Sequence, residues 1–152
     1  RGQVVAEHDG VHFIDNSKAT NPHAADSALA GHDSVIWVVG GQLKGADIAP
    51  LVKKHEQRIK AALVLGTDRA EIVAALKEHA PQASVFVTDK TEPFEAMEEI
   101  VTEAFSISEP GDTVLLAPAA ASLDMFKGMG QRGDLFAHNI IGTIKGLTEE
   151  KG

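Results

Sequence analysis

Short apolar, β-branched runs alternate along this chain with longer stretches in which apolar residues recur every three or four positions. Runs with the composition of buried strands occur at 34–39, 61–65, 85–87 and 113–117. Segments with helical periodicity follow at 48–55, 68–79, 93–105 and, as one or two helices, 122–147. Thr67 or Asp68 is the expected N-cap of the second of these helices. This alternation predicts an α/β fold, a Rossmann-like open sheet of mostly parallel strands flanked by helices.

The beginning of the chain carries a different pattern. Two β-prone runs, 4–7 and 11–14, flank an Asp9-Gly10 pair, which predicts a β-hairpin at one edge of the sheet. Asn21-Pro22 then supplies the preferred N-cap and first-turn residues of a helix that ends near residue 31. The segment 17–21 therefore connects a strand to a helix.

Composition restricts the class of protein. A chain of 152 residues suits one domain with one core, so we expect a single domain over 1–152, present as a monomer. The net charge of −8 argues against nucleic acid or an anionic membrane surface as the main partner. The apolar runs are far shorter than the roughly 20 residues of a membrane span. The sequence has no cysteine, which fits the cytoplasmic location that we expect.

Five loops follow the predicted strands at their carboxyl ends. Ligands of such sheets bind there, because helix N-termini present free backbone amides that favour anions. In chain order the five loops are 15–21, 40–47, 66–68, 88–91 and 118–122. The first, second and fifth carry groups suited to an anion.

Each of these three loops allows a structural and a functional interpretation. Lys18 and Thr20 lie either beside an ordinary Asn-Pro helix cap or in an anion cradle. Lys44 lies among three glycines, which form a flexible turn or let the backbone approach a ligand. Ser122 follows a run of small residues and either caps a helix or binds a ligand. Two lysines and a serine that converge at one edge would suit a small dianion.

Familiar catalytic patterns do not occur in the sequence. It contains neither a Gly-Lys-Ser/Thr phosphate loop nor the Gly-x-Gly-x-x-Gly fingerprint of a dinucleotide-binding oxidoreductase. His8 and His12 are close in sequence but span a predicted turn, so we expect no metal site. No Ser-His-Asp or paired-carboxylate set is evident. We therefore expect no catalytic residue within this domain.

Four stretches together resemble the C-terminal domain of the Mur ligase family, in its D-glutamate-adding members. They are DNSKATNP at 15–22, GGQLKGAD at 40–47, LLAPAAASLDMF at 115–126 and QRGDLF at 131–136. The resemblance covers nearly the whole chain, and the loops occur in the family's order. It implies a D-glutamate-binding domain of an ATP-dependent ligase, which extends UDP-N-acetylmuramoyl-L-alanine through an acyl phosphate in peptidoglycan precursor synthesis.

The resemblance also implies a role for individual residues. Those that would contact the carboxylates of D-glutamate are Lys18, Thr20, Lys44 and Ser122. Met129 stands where an aromatic residue of the family helps to hold the amino acid. The rest of the glutamate site would come from domains that this chain does not contain.

Three residues near the beginning of the chain are implied to reach toward the nucleotide. Arg1 matches an arginine of the family that points back to ATP. The family has an aspartate before its Ser-Lys pair, whereas here Asn16 takes that place and Asp15 precedes it. ATP and Mg²⁺ would be held by the central domain of the full-length enzyme, and neither by this domain alone.

The chain starts at Arg1 without an initiator methionine, so we expect a processed or excised part of a longer protein. That protein would contain an N-terminal UDP-sugar domain and a central ATPase domain, on which this domain would close. One alternative stays open at this point. The chain would then be a free-standing module that binds a small anion or a partner without catalysis.

Overall fold

A six-stranded sheet forms the framework of the chain in the computed structural model, which describes residues 2–151. The strands are β1 Gln3–His8, β2 Val11–Asp15, β3 Val35–Gly40, β4 Ile59–Leu65, β5 Ser84–Val87 and β6 Thr113–Leu116. The helices are α1 Pro22–Ala30, α2 Ala49–Lys54, α3 Arg69–His79, α4 Pro93–Ile107 and α5 Met129–Lys151. The nucleotide contact predicted for Arg1 lies outside the described residues.

The strands are ordered β1-β2-β6-β3-β4-β5 across the sheet. Neighbouring strands from β2 to β5 are parallel, and only the pair of β1 and β2 at one edge is antiparallel. Asp9 and Gly10 both have positive φ, 52° and 78°, as a tight hairpin turn requires. These features confirm the predicted mostly parallel sheet and its hairpin at one edge.

The core has two layers because β3 is buried on both of its faces. Val35, Trp37 and Val39 pack with α1, α2 and α3 on one side of the sheet. Ile36 and Val38 pack with α4 and α5 on the other side. A strand covered on both faces is continuously apolar rather than alternating, as the sequence 35–39 shows. No helix within residues 2–151 is long and apolar enough to cross a membrane.

Local capping signals predict one helix start correctly and another wrongly. The Asn21 side chain accepts a hydrogen bond from the Ala24 amide at 2.9 Å and caps α1, as predicted. Ser122 does not begin a helix, because α5 starts only at Met129. Ser122 lies instead in a turn, where its carbonyl accepts a hydrogen bond from the Phe126 amide at 2.8 Å. Burial of Phe126 in the core stabilises this turn in place of the predicted helix.

A charged cluster joins three elements at the amino ends of the strands. The Lys60 ammonium lies 2.5 Å from Asp112 Oδ2 and 2.8 Å from Glu109 Oε1. Ser34 Oγ donates to Asp112 Oδ1 at 2.8 Å, and the Glu109 amide donates to Oδ2 at 2.9 Å. Burial by itself would raise the pKa of Asp112, but these hydrogen bonds together lower it.

The Asp112→Asn variant should lower the free energy of unfolding by about 1–3 kcal/mol at neutral pH, because Lys60 loses its buried carboxylate partner. Since the folded state lowers the pKa of Asp112, its stabilisation is complete above the ordinary value of 3.8. This stabilisation is lost as the pH falls through the lower pKa that Asp112 has in the folded state. Urea denaturation of both proteins should therefore give a difference that shrinks in acid.

The matched control is Glu109→Gln, which removes the exposed partner of the same lysine. Its effect should stay below about 1 kcal/mol, because exposed ion pairs contribute little. A stability difference between the native chain and Asp112→Asn that is constant with pH would contradict this account.

Candidate functional site

The carboxyl ends of β2 to β6 lie along one edge of the sheet, here called the strand-end edge. Backbone hydrogen bonds join the loops that leave it. The Ala119 amide donates to the Ala19 carbonyl at 2.8 Å, which ties the loop after β6 to the loop after β2. Gln42 and Ala121 exchange two hydrogen bonds of 2.9 Å, which tie the loop after β3 to the loop after β6. The three loops that carry the predicted ligand residues are therefore contiguous.

Glycines allow these loops to approach so closely. Gly40 and Gly41 have φ of +137° and +138°. A Cβ atom at Gly40 would lie 1.8 Å from the Leu65 carbonyl oxygen, and one at Gly41 would lie 2.2 Å from the Ala121 carbonyl oxygen. No other residue type fits either position without backbone movement. The loop after β3 is thus constrained, and not the flexible turn that its glycines alone would suggest.

The two predicted lysines have exposed side chains without a carboxylate partner among residues 2–149. Both Lys18 and Lys44 are exposed, and neither forms an ion pair with any carboxylate of residues 2–149. Lys44 has φ of 55°, in the left-handed region that non-glycine residues rarely adopt. This backbone conformation sets the direction in which the Lys44 side chain leaves the loop.

The predicted hydroxyl and apolar residues differ in exposure. Ser122 is 5% exposed, and its hydroxyl makes no hydrogen bond with the part of the chain that is described. Thr20 is half-buried beside Lys18. Met129 is 44% exposed at the first turn of α5. A ligand at the strand-end edge would thus meet polar and apolar groups together.

The structure places Lys18 between two open cavities. One, of about 500 Å³, lies against α1, and the other, of about 250 Å³, lies against the first turns of α5. Met129 lines the smaller cavity with Lys18. Lys44 and Ser122 line neither of the two, and the segments that carry them are joined by the Gln42–Ala121 bridge.

Asp15 and Asn16 face different surroundings. The Asp15 carboxylate accepts the Ser17 amide at 2.9 Å and packs against Gly133, where a Cβ atom would lie 2.6 Å from Oδ2. Burial raises the pKa of Asp15, and the nearby Asp134 adds to this effect. The Asn16 side chain lines both cavities. Asp15 also lines the smaller cavity, whereas Asn16, the more buried of the two, is the one that lines the larger cavity as well.

Arg132 is the residue that sequence analysis missed. Its side chain is fully buried, and its guanidinium donates to Ser17 Oγ at 3.0 Å, to the Ser17 carbonyl at 2.9 Å and to the Ala120 carbonyl at 3.0 Å. Burial lowers the pKa of Arg132 to about 10, so it stays charged at neutral pH. It locks the loop after β2 onto the loop after β6. The QRGDLF stretch marked its position but not its burial.

This arrangement suits a small ligand with two anionic groups. The exposed ammonium groups of Lys18 and Lys44 come from loops on either side of the loop after β6. Hydroxyl groups and a methionine lie beside them. Among the side chains of residues 2–149, no group of three or more histidine, aspartate or glutamate residues is placed to hold a metal ion. The class defined by fold and site is a Rossmann-like α/β domain with two exposed lysines at its strand-end edge.

Comparison with known proteins identifies the family. The family model described as "Mur ligase, glutamate ligase domain" matches residues 1–120, and the chain belongs to this family. A Corynebacterium efficiens protein named UDP-N-acetylmuramoylalanine–D-glutamate ligase is 70% identical over 99% of this chain and 32% of its own length. A Thermobifida fusca protein of the same name is 47% identical over 90% of this chain and 29% of its own length. The chain thus spans about a third of these relatives.

Solved structures agree with the fold. UDP-N-acetylmuramate-alanine ligase from Thermotoga maritima matches 93% of this chain and 30% of its own, with a TM-score of 0.57 and 13% identity. MurF from Acinetobacter baumannii matches 93% of this chain and 31% of its own, with a TM-score of 0.55 and 12% identity. At this identity the likeness shows the shared α/β fold.

Proposed function

We propose that this chain is the D-glutamate-binding C-terminal domain of an ATP-dependent ligase that joins D-glutamate to UDP-N-acetylmuramoyl-L-alanine in peptidoglycan precursor synthesis. The observation that carries the proposal is the pair of exposed lysines, Lys18 and Lys44, without internal counter-ions on contiguous loops. The name of the 70% identical relative, which matches nearly the whole chain, supports the choice of amino acid.

D-Glutamate carries two carboxylates and one amine, and the strand-end edge offers a group for each carboxylate. Lys18 and Thr20, from one loop, would hold one carboxylate, and Lys44 with Ser122 would hold the other. Hydrogen bonds between ammonium and carboxylate groups are among the stronger kinds in proteins. Met129 would cover the methylene groups. The amine is left free, so the domain positions the nucleophile without blocking it.

The remaining chemistry is assigned to other domains of the same polypeptide. The described residues lack a set of metal ligands, and the sequence lacks a phosphate loop, so this chain does not fit a complete ATP–Mg²⁺ site. We place that site on a central domain, preceded by a domain for the UDP-sugar. Arg1, Asn16 and Asp15 would face the nucleotide when this domain closes. A ligase of nucleotide-linked precursors would work in the cytoplasm.

The test is phosphate release by the full-length protein with ATP, Mg²⁺ and UDP-N-acetylmuramoyl-L-alanine. Release should depend on added D-glutamate and should not occur with the 152-residue chain alone, because that chain lacks the ATP site. Release that is independent of D-glutamate would contradict the proposed function. Ligation by the 152-residue chain alone would contradict the division of labour between domains.

A further inference from the structure

Asp68 has the position of a helix cap but not the role of one. It is the N-cap residue of α3, yet its side chain makes no capping hydrogen bond. Its Oδ2 instead accepts the amide of Leu43 at 2.7 Å, in the loop after β3. Its own amide donates to the Gly41 carbonyl at 3.1 Å. The carboxylate of Asp68 therefore fixes the residue immediately before Lys44.

A second carboxylate reaches the same turn, 66–68, from the opposite side. Asp124 Oδ2 accepts the Thr67 amide at 2.7 Å. Its Oδ1 is buried and has no hydrogen-bond partner among the described residues. Oδ2 is therefore the oxygen through which Asp124 holds the turn. Asp124 lies two residues after Ser122.

The turn 66–68 is packed tightly between these two neighbours. A Cβ atom at Gly66 would lie 2.5 Å from the Gly41 amide nitrogen and 2.9 Å from Asp124 Oδ2. Any side chain at Gly66 would therefore collide with these neighbours. The turn is therefore packed against both the segment that carries Lys44 and the segment that carries Ser122, which the Gln42–Ala121 bridge also joins directly.

We propose that Asp68 and Asp124 are positioning residues that fasten the turn 66–68 to the two joined loops and so hold Lys44 and Ser122 in place as a pair that binds one carboxylate. This inference rests on the proposed function and deepens it. The distance from this pair to Lys18 and Thr20, which would hold the other carboxylate, determines which length of dicarboxylate fits. A clamp that keeps Lys44 and Ser122 in place therefore favours the five-carbon chain of glutamate over a four-carbon one. Neither carboxylate needs to touch the ligand.

The test is Asp68→Ala in the full-length protein. Loss of a charge-assisted hydrogen bond should raise the KM for D-glutamate about ten-fold. The kcat and the KM for ATP should stay unchanged, because Asp68 acts only through the position of Lys44. Glutarate and succinate, tested as competitive inhibitors against D-glutamate, should differ less in inhibition constant in this variant than in the native protein. Asp68→Asn should have a KM close to the native value, because its side-chain amide oxygen can still accept a hydrogen bond from the Leu43 amide.

Asp47→Ala is the matched control. Asp47 lies in the same loop, and its carboxylate accepts the Ala49 amide at 3.0 Å without touching the turn 66–68. Its KM for D-glutamate should equal that of the native protein. A native KM and native inhibitor preference in Asp68→Ala would overturn the inference, as would an equal KM rise in Asp47→Ala. Failure of the native protein to use D-glutamate would instead overturn the proposed function.

Discussion

The Lys44→Ala variant of the full-length protein should raise the KM for D-glutamate by about 30-fold, which corresponds to roughly 2 kcal/mol of lost binding. Lys44 is exposed and has no internal ion-pair partner among the described residues, so its removal costs the fold little. The ligand carboxylate keeps its charge throughout the reaction. The lost interaction is therefore uniform binding, which changes KM while leaving kcat close to the native value.

Lys77→Ala is the control for Lys44→Ala. Lys77 is an exposed lysine near the end of α3, away from the strand-end edge, and its removal changes the net charge by the same amount. Its KM for D-glutamate should be native. A native KM in Lys44→Ala, or a fall in kcat without a rise in KM, would contradict the role given to Lys44.

The Arg132→Met variant should lose about 3–5 kcal/mol of unfolding free energy, because each buried acceptor left without its donor costs about 1–3 kcal/mol. Methionine fills similar volume but supplies no donor. The buried carbonyls of Ser17 and Ala120 would then lose their partner, and the carboxylate of Asp124 would lose its nearest buried counter-charge. Guanidinium chloride denaturation of the 152-residue chain measures this loss directly.

Two further variants separate the geometry of Arg132 from its charge. Arg132→Lys should recover only part of the stability, because an ammonium cannot reach three acceptors in the fork of a guanidinium. Arg69→Met removes an arginine that donates to the Gly66 carbonyl at 3.1 Å from a half-buried position. The Arg69→Met variant should lose less than about 1.5 kcal/mol of unfolding free energy. Equal losses in Arg69→Met and Arg132→Met would contradict the role of Arg132.

The parts of this fold that could be predicted from sequence are those determined locally. The Asp9-Gly10 pair predicts the hairpin because its residues tolerate positive φ. Asn21 predicts the start of α1 because its side chain bonds an amide three residues later. Short apolar runs predict the central strands because a parallel sheet buries both faces. The loops at the carboxyl ends then follow from the topology alone.

Residues whose role depends on distant parts of the chain could not be predicted. Asp68 has the local signal of a helix cap, but its carboxylate accepts a hydrogen bond from the Leu43 amide instead of capping α3. Ser122 has the same signal, but the buried side chain of Phe126 stabilises a turn there. Arg132 has no local signal, since a buried arginine and a surface arginine look alike in sequence. Long-range contacts decide all three.

The most direct test of the central claim, that the strand-end edge binds D-glutamate, is a titration of the ¹⁵N-labelled 152-residue chain followed by amide chemical shifts. We expect saturable shifts centred on Thr20, Lys44 and Ser122. The dissociation constant should be weak, in the millimolar range, because the closing domain is absent from this chain. Shifts that map to another surface, or unchanged amides at these positions, would contradict the account.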